Sequence, residues 1–270
     1  MTELDLRDHL DGVAAIMAGT ANVIMQLSLA PVGYGVVESK VESGQITKHP
    51  LKRFRTTFSF LSVAMLGTDE DRRQMRKAID TAHVQVRSSA DSPVKYNAMD
   101  PDLQMWVAAA IFWGAEDAMT KMRGPLEPAL KDELYALGTR FATTLQVKPD
   151  MWPVDRDAFA EYWDETIARL HIDDTVRAYL QGLIDYTFMP WPFRVVMAPL
   201  HRLLTVGFLP PFWRDQMQAT WTEVDQRRFD RVVGMVAGIN RRMPRVIRNL
   251  PFNYFLWDVR RRVRTGKRLV

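Results

Sequence analysis

Apolar residues recur along this chain at the spacing of helix turns, and no segment alternates apolar with polar residues as a half-buried strand does. The spacing is most regular between residues 51 and 65, where apolar side chains stand three or four positions apart. These side chains are Leu51, Phe54, Phe58, Leu61 and Met65. Such spacing places them on one face of a helix. The periodicity therefore predicts an all-α fold whose helices each bury an apolar stripe.

Two helix starts are indicated by the residues that cap them. Thr68 precedes the acidic run 69–71, which is typical of an N-cap followed by a first turn that favours negative charge. Asp100 precedes Pro101, and proline is favoured at the first helical position. The helix that follows Asp100 is apolar nearly all round, so we expect it at the centre of the core. Further helices are predicted over residues 128–146, 155–170, 173–188, 193–204, 212–224, 227–240 and 253–264.

Nothing in the chain marks a boundary between two domains. There is no internal repeat and no low-complexity linker, and 270 residues lie at the upper end of what one hydrophobic core usually serves. We predict a single globular multi-helix domain over residues 1–258, followed by a basic C-terminal tail over residues 259–270.

The absence of cysteine removes several chemistries at once. Disulfides, a thiol nucleophile, iron–sulfur clusters and thiolate-ligated haem are all excluded. The motifs HExxH, GxSxG, GxxxxGK(S/T) and GxGxxG are also absent, so common protease, hydrolase and nucleotide-binding sites have no support. A chain without cysteine fits a reducing compartment, and the acidic start MTELDLRDHLDG lacks the layout of a signal peptide. We expect a cytoplasmic protein.

The segment from Val13 to Val37 carries no charge, which raises the question of a membrane span. Polar residues, glycines and a proline interrupt it, and few of these are comfortable facing lipid. The sequence favours a buried helix followed by a turn-rich loop that lines a site.

The positive charge is concentrated near the C-terminus. Residues 226–270 contain thirteen Lys and Arg against two Asp and Glu, whereas the whole chain carries a net charge of only +4. Such a segment could be solvated, dock on the acidic body of the protein, or meet anionic lipid; no nucleic-acid motif accompanies it, so we expect no nucleic-acid partner. The apolar stretch from Thr187 to Trp213 is either a set of core helices joined by prolines, which we favour, or an interfacial patch that gives peripheral membrane association.

Two groups of polar residues lie beside the predicted apolar stripes. Arg76, Asp80, His83 and Arg87 step by four, three and four residues and so share one helix face. Taken alone, His83 could bind a metal or be a hydrogen-bonded residue at the edge of the core. Upstream, Arg53 stands four residues before Thr57 and close to Thr56. An arginine with hydroxyl groups suits an anionic group or bound oxygen beside an apolar ligand, or the arginine extends to solvent.

The order of several segments resembles one known family. These segments are APVGYGVVES, HPLKRFRTTFSFL, GTDED, AHVQVRSS, YNAMDPDLQMWV and, later, LPPFWRDQM. Together they are similar to the MpaB-type oxygenase family, which includes the rubber-cleaving latex clearing proteins and uncharacterised actinobacterial members. Each motif is short, but their order and spacing cover most of the chain.

The resemblance implies an all-helical domain that encloses a haem b pocket. It implies that the histidine of the H-x-x-V-R segment, His83, ligates the iron, and that Arg53 and Thr57 of the R-x-x-x-T motif lie on the distal side. Latex clearing proteins carry a lysine directly before that threonine, and here the position is Thr56, so we expect an open or water-bound sixth site. Glu38 lies near the position of a glutamate proposed as a base.

Two further sets of residues belong to this hypothesis. Arg87 or Arg76 could face the haem propionates. His171 and His201 are alternative iron ligands, although a surface or core position is favoured for each. The resulting prediction is a haem b-dependent oxygenase or peroxygenase that uses dioxygen or peroxide on a hydrophobic small molecule. The alternative is a non-catalytic helical protein that binds haem or lipid at a membrane surface.

Overall fold

The computed structural model describes residues 5–39, 41 and 45–270, and within these ranges the chain is an assembly of helices with no strand. The all-α prediction is thus confirmed. The helices are α1 Gly12–Leu27, α2 Ala30–Val37, α3 Pro50–Leu66, α4 Asp69–His83, α5 Pro101–Arg123, α6 Pro128–Thr144, α7 Arg156–Ile167, α8 Asp174–Ile184, α9 Trp191–Phe208, α10 Pro211–Gln216, α11 Glu223–Arg242, α12 Arg245–Arg248 and α13 Leu250–Arg264.

Helix α5 lies at the centre of the core, as its apolar sequence predicts. Trp106 is fully buried, and the indole Nε1–H donates to the Gln26 carbonyl over 3.0 Å. Helix α1 packs along α5. The Asn22 side chain of α1 reaches the α5 backbone at Gly114, where a Cβ atom would overlap the Asn22 amide. Small residues on α5 thus allow α1 to lie against it.

The predicted helix starts at Thr68 and Asp100 are confirmed. The Thr68 hydroxyl accepts a hydrogen bond from the Asp71 amide, and the Asp71 carboxylate accepts one from the Thr68 amide, which together form a capping box. The Asp100 carboxylate accepts a hydrogen bond from the Asp102 amide at the start of α5. Both caps depend on neighbours within three residues, which explains why sequence alone could locate them.

The turn-rich loop predicted before residue 37 is wrong, because that segment forms the short helix α2. Pro31 stands in the first turn of α2, where its missing N–H costs nothing. Helices α1 and α2 bend by 110° against each other. Among the described residues, no individual helix is long and apolar enough to span a membrane. The bent pair α1 and α2 together is, by length and composition alone.

The region after residue 187 differs most from the prediction. Pro190–Leu200 is exposed at every residue except Ala198, so the favoured assignment of this stretch to the core is wrong for the first half of α9. The second half of α9 is buried from Thr205 to Phe208. The predicted helix over 212–224 is also wrong: α10 ends at Gln216, and Thr222 caps a new helix, α11, through a second capping box with Asp225.

The C-terminal segment packs on the body of the protein. Helix α13 lies along α3 and continues across the predicted boundary between residues 258 and 259. Arg260 pairs with Asp71 of α4 over 2.8 Å, and Leu269 is buried in the core. These contacts are those of a C-terminal segment that docks on its own protein. The division into a domain over residues 1–258 and a tail over residues 259–270 stays a prediction.

Candidate active site

An apolar cavity of about 390 Å³ lies between the N-terminal helices and α5. Its size falls in the range of small-molecule pockets. Side chains from α1, α2, α3, α4 and α5 line it, and most of them are aliphatic or aromatic. The cavity brings together residues that are far apart in the sequence: Arg53, Thr56 and Thr57 of α3, and His83 at the end of α4.

His83 faces this cavity because of the way α4 packs. Met75 and Ile79 bury the apolar face of α4, and His83, four residues after Ile79, extends the same face to the cavity lining. The Nδ1 atom of His83 is buried and has no hydrogen-bond partner. The pKa of the imidazole is lowered to about 4, mainly by burial and then by the positive charge of Arg53, against the opposing effects of the Asp80 charge and of a backbone hydrogen bond with Ala98. At neutral pH the ring is therefore uncharged and can donate an electron pair.

Arg53 is a cation without a counter-ion. Among the described residues, no side chain or carbonyl makes a hydrogen bond or ion pair with its guanidinium. Burial lowers the pKa of Arg53, although more than a third of the residue is accessible to solvent. Since Arg53 lines the cavity, we interpret the accessible part as the surface that faces the cavity. Thr56 is buried and donates to the Arg53 carbonyl over 3.0 Å.

A chain of hydrogen bonds lies next to His83. Gln104, which is buried and lines the cavity, donates to the Ala98 carbonyl over 2.7 Å and to Gln146 Oε1 over 3.1 Å. Gln146 in turn donates to the Asp80 carboxylate. Asp80 is thus held by Gln146 rather than by His83. This network fixes the segment 98–104 behind the histidine.

Glu38 lies outside the lining of the cavity, one step behind Tyr96. Its Oε2 accepts hydrogen bonds from Ser92 Oγ over 2.6 Å and from Tyr96 Oη over 2.8 Å. Tyr96 is buried and does line the cavity, and burial together with the bond to Glu38 raises the pKa of its phenol. The residue between Glu38 and the cavity is therefore a tyrosine, and no motif in the sequence pointed to it.

The remaining predicted residues lie elsewhere. Arg87 is exposed and forms an isolated antiparallel bridge with Asn97, and Arg76 donates to the Thr143 carbonyl over 3.5 Å, so neither lines the cavity. His171 is exposed. His201 has both ring nitrogens engaged, Nε2 with Thr20 Oγ1 over 2.9 Å and Nδ1 with the Ile184 carbonyl over 2.8 Å.

The donor set suits a prosthetic group that brings its own metal ligands. Within the described ranges, no three His, Asp or Glu side chains are grouped closely enough to hold a bare metal ion. One uncharged imidazole beside an apolar cavity is instead the arrangement that an axial haem ligand requires. The uncharged His83 ring and its position in the cavity lining are thus compatible with haem.

The fold and the site together define an all-α protein with one histidine and one unpaired arginine at an apolar cavity. A family model described as "ER-bound oxygenase mpaB/B'/Rubber oxygenase, catalytic domain" matches residues 6–238, and the chain belongs to this family. Two relatives are uncharacterised mycobacterial proteins, Mb2261 of Mycobacterium bovis and Rv2237 of Mycobacterium tuberculosis. Each is 47% identical over 250 residues, which cover 93% of this chain and 98% of the relative. No solved structure matches the chain significantly.

Proposed function

We propose that this protein is a haem b-dependent oxygenase or peroxygenase that acts on a hydrophobic small molecule. The family supports the oxygenase class. The observation that carries the haem is the uncharged His83 imidazole, which lines the apolar cavity. The aliphatic lining of the same cavity supports a hydrophobic substrate.

Each residue of the proposed site has a stated task. His83 would hold the iron, and the haem would supply an iron centre that activates dioxygen or peroxide. Arg53 and Thr57 provide a positive charge and a hydroxyl at the cavity surface, which suit a polar group next to an apolar one. Thr56, whose hydroxyl is bonded to the Arg53 carbonyl, offers no basic ligand. Glu38 accepts from the Tyr96 phenol, so a proton from the cavity could reach the Glu38 carboxylate through Tyr96.

Visible absorption of the purified protein, expressed with haem supplied, tests this proposal. Wild-type protein is expected to show a Soret band, and His83→Ala is expected to reduce the haem-to-protein ratio several-fold. His171→Ala is the matched control, because His171 is exposed and should leave haem content unchanged. A colourless wild-type protein, or equal haem content in the His83 variant, would contradict the haem proposal. A red protein without turnover on peroxide, or on dioxygen with a reductant, would favour non-catalytic haem binding.

We also propose that the protein, expected in the cytoplasm, associates with membranes at the first half of α9. Trp191 is 71% exposed and Val196 is 73% exposed. No Asp or Glu occurs between residues 186 and 214, whereas Arg194 lies within the patch. An exposed apolar helix with aromatic and cationic residues is typical of a helix that lies in the membrane interface.

Sedimentation with vesicles tests the membrane proposal. Binding is expected to vesicles of phosphatidylglycerol with phosphatidylcholine, and Val196→Glu is expected to weaken it about tenfold or more by placing a charge in the interface. Val154→Glu is the control, since Val154 is 88% exposed in a loop outside α9. Equal binding by the two variants, or no sedimentation of wild type, would rule out this surface.

A further inference from the structure

Among the described residues that line the cavity, no side chain balances the positive charge of Arg53. Among the described lining residues, Arg53 is the one Lys or Arg, and Asp11 is the one Asp or Glu. The Asp11 carboxylate already accepts from the Ala14 amide over 2.9 Å and from the Asn240 side chain. Asp11 thus caps α1 and pairs with α11, and it is not a counter-ion for Arg53.

A positive charge without a counter-ion is unusual at the surface of an apolar cavity. More than a third of Arg53 stays accessible, so the charge is hydrated when the cavity is empty, and an anion that pairs with it replaces this water. A guanidinium presents a planar fork of N–H donors that matches a carboxylate, and this pairing is stronger than one with a neutral hydroxyl. The Arg53 guanidinium is therefore available to an anion that a ligand brings into the cavity.

We propose that Arg53 binds the carboxylate of an apolar carboxylic acid whose hydrocarbon part lies against the aliphatic lining of the cavity. This inference rests on the proposed function, since it takes the cavity as the substrate site. It narrows the substrate class from any hydrophobic molecule to hydrophobic acids. Haem itself carries carboxylates, so the experiment must separate a substrate acid from a haem propionate.

Calorimetric titration of the purified full-length protein with decanoate and with decan-1-ol, at pH 7.5, measures the preference for an acid. Wild-type protein is expected to bind decanoate about ten- to hundredfold more tightly than the alcohol, the range expected of one charge-assisted pair. Arg53→Met is expected to remove this preference and to leave alcohol affinity nearly unchanged, because the methionine keeps an unbranched apolar stem. Arg53→Lys keeps the charge and is expected to retain part of the preference. Arg264→Met, at an exposed arginine, is the matched control for loss of one positive charge.

Two results would overturn the inference. One is equal affinity of the wild type for acid and alcohol, and the other is an acid preference that survives in Arg53→Met. If Arg53→Met instead loses haem and keeps the acid preference, Arg53 serves a propionate and the substrate assignment fails. Thermal unfolding of each variant confirms that it is folded. Haem content of the same samples separates the two proposals, because an Arg53-dependent acid preference in a protein that never holds haem would sustain this inference alone.

Discussion

Acidification should destabilise the haem-free protein through His83, and the size of the effect follows from the surroundings of the ring. The pKa of His83 is lowered from 6.5 to about 4, chiefly by burial and then by the charge of Arg53. Between these two values the unfolded chain binds the proton and the folded protein does not. The free energy of unfolding therefore falls as the pH is lowered. The stability that depends on an uncharged His83 ring is complete above pH 6.5, and it is lost as the pH falls towards 4. At pH 4.5 the loss is about 2.5 kcal/mol, because the pH lies two units below the unfolded pKa at about 1.36 kcal/mol per unit, less a small term for partial protonation of the folded state.

Urea unfolding at pH 7.5 and pH 4.5, with wild-type protein and His83→Gln, measures this contribution. Glutamine keeps a polar side chain of similar length and does not titrate. Burial also lowers the pKa of His9 and His201, so both proteins lose some stability in acid, and the difference between them isolates His83. If wild type and variant lose the same free energy, or if the His83 ring titrates above pH 6 by NMR, the argument from burial is wrong.

Three further predictions concern packing and the network beside the histidine. Gly114→Ala should destabilise the fold by about 1–2 kcal/mol, seen as a lower thermal midpoint, because the added methyl group pushes the Asn22 amide off the Ala110 carbonyl and the lost hydrogen bond outweighs the gain in helix propensity. Ser28→Ala should cost about 1–3 kcal/mol in urea unfolding, because the buried Trp213 Nε1–H loses the hydroxyl to which it donates over 3.0 Å. Gln104→Met should cost a similar amount, about 1–3 kcal/mol, by removing donors to the Ala98 carbonyl and to Gln146. Its NMR spectrum should show shifts at the His83 ring, and an unchanged ring signal would mean that the network does not position it.

Helix type and several helix starts were predictable because their causes are local. The capping box of Thr68 and Asp71 joins residues three positions apart, and the cap at Asp100 joins residues two apart. The apolar stripe of α3 depends only on spacing along one helix. One local signal gave a wrong prediction: Pro31 indicated a turn-rich loop, but it lies in the first turn of helix α2.

The composition of the site was partly predictable, but its assembly was not. Arg53, Thr56, Thr57 and His83 were all identified from the sequence, and all four line one cavity. Glu38 was also identified, yet only the packing of Ser92 and Tyr96 against it determines that it stands behind the lining. The helix-face argument grouped Arg76 and Arg87 with His83, but α4 ends at His83, so Arg87 lies beyond the helix, and Arg76 points to the Thr143 carbonyl instead.

The sequence alone determined that this chain is helical, where most of its helices begin, and which side chains are available for chemistry. Those properties depend on hydrogen bonds and periodicity within a few residues. The tertiary structure alone decided that the cavity exists, that Arg53 has no partner in it among the described residues, and that the first half of α9 is exposed. These properties depend on contacts between helices far apart in the chain, such as α1 on α5 and α13 on α3, which no local pattern encodes.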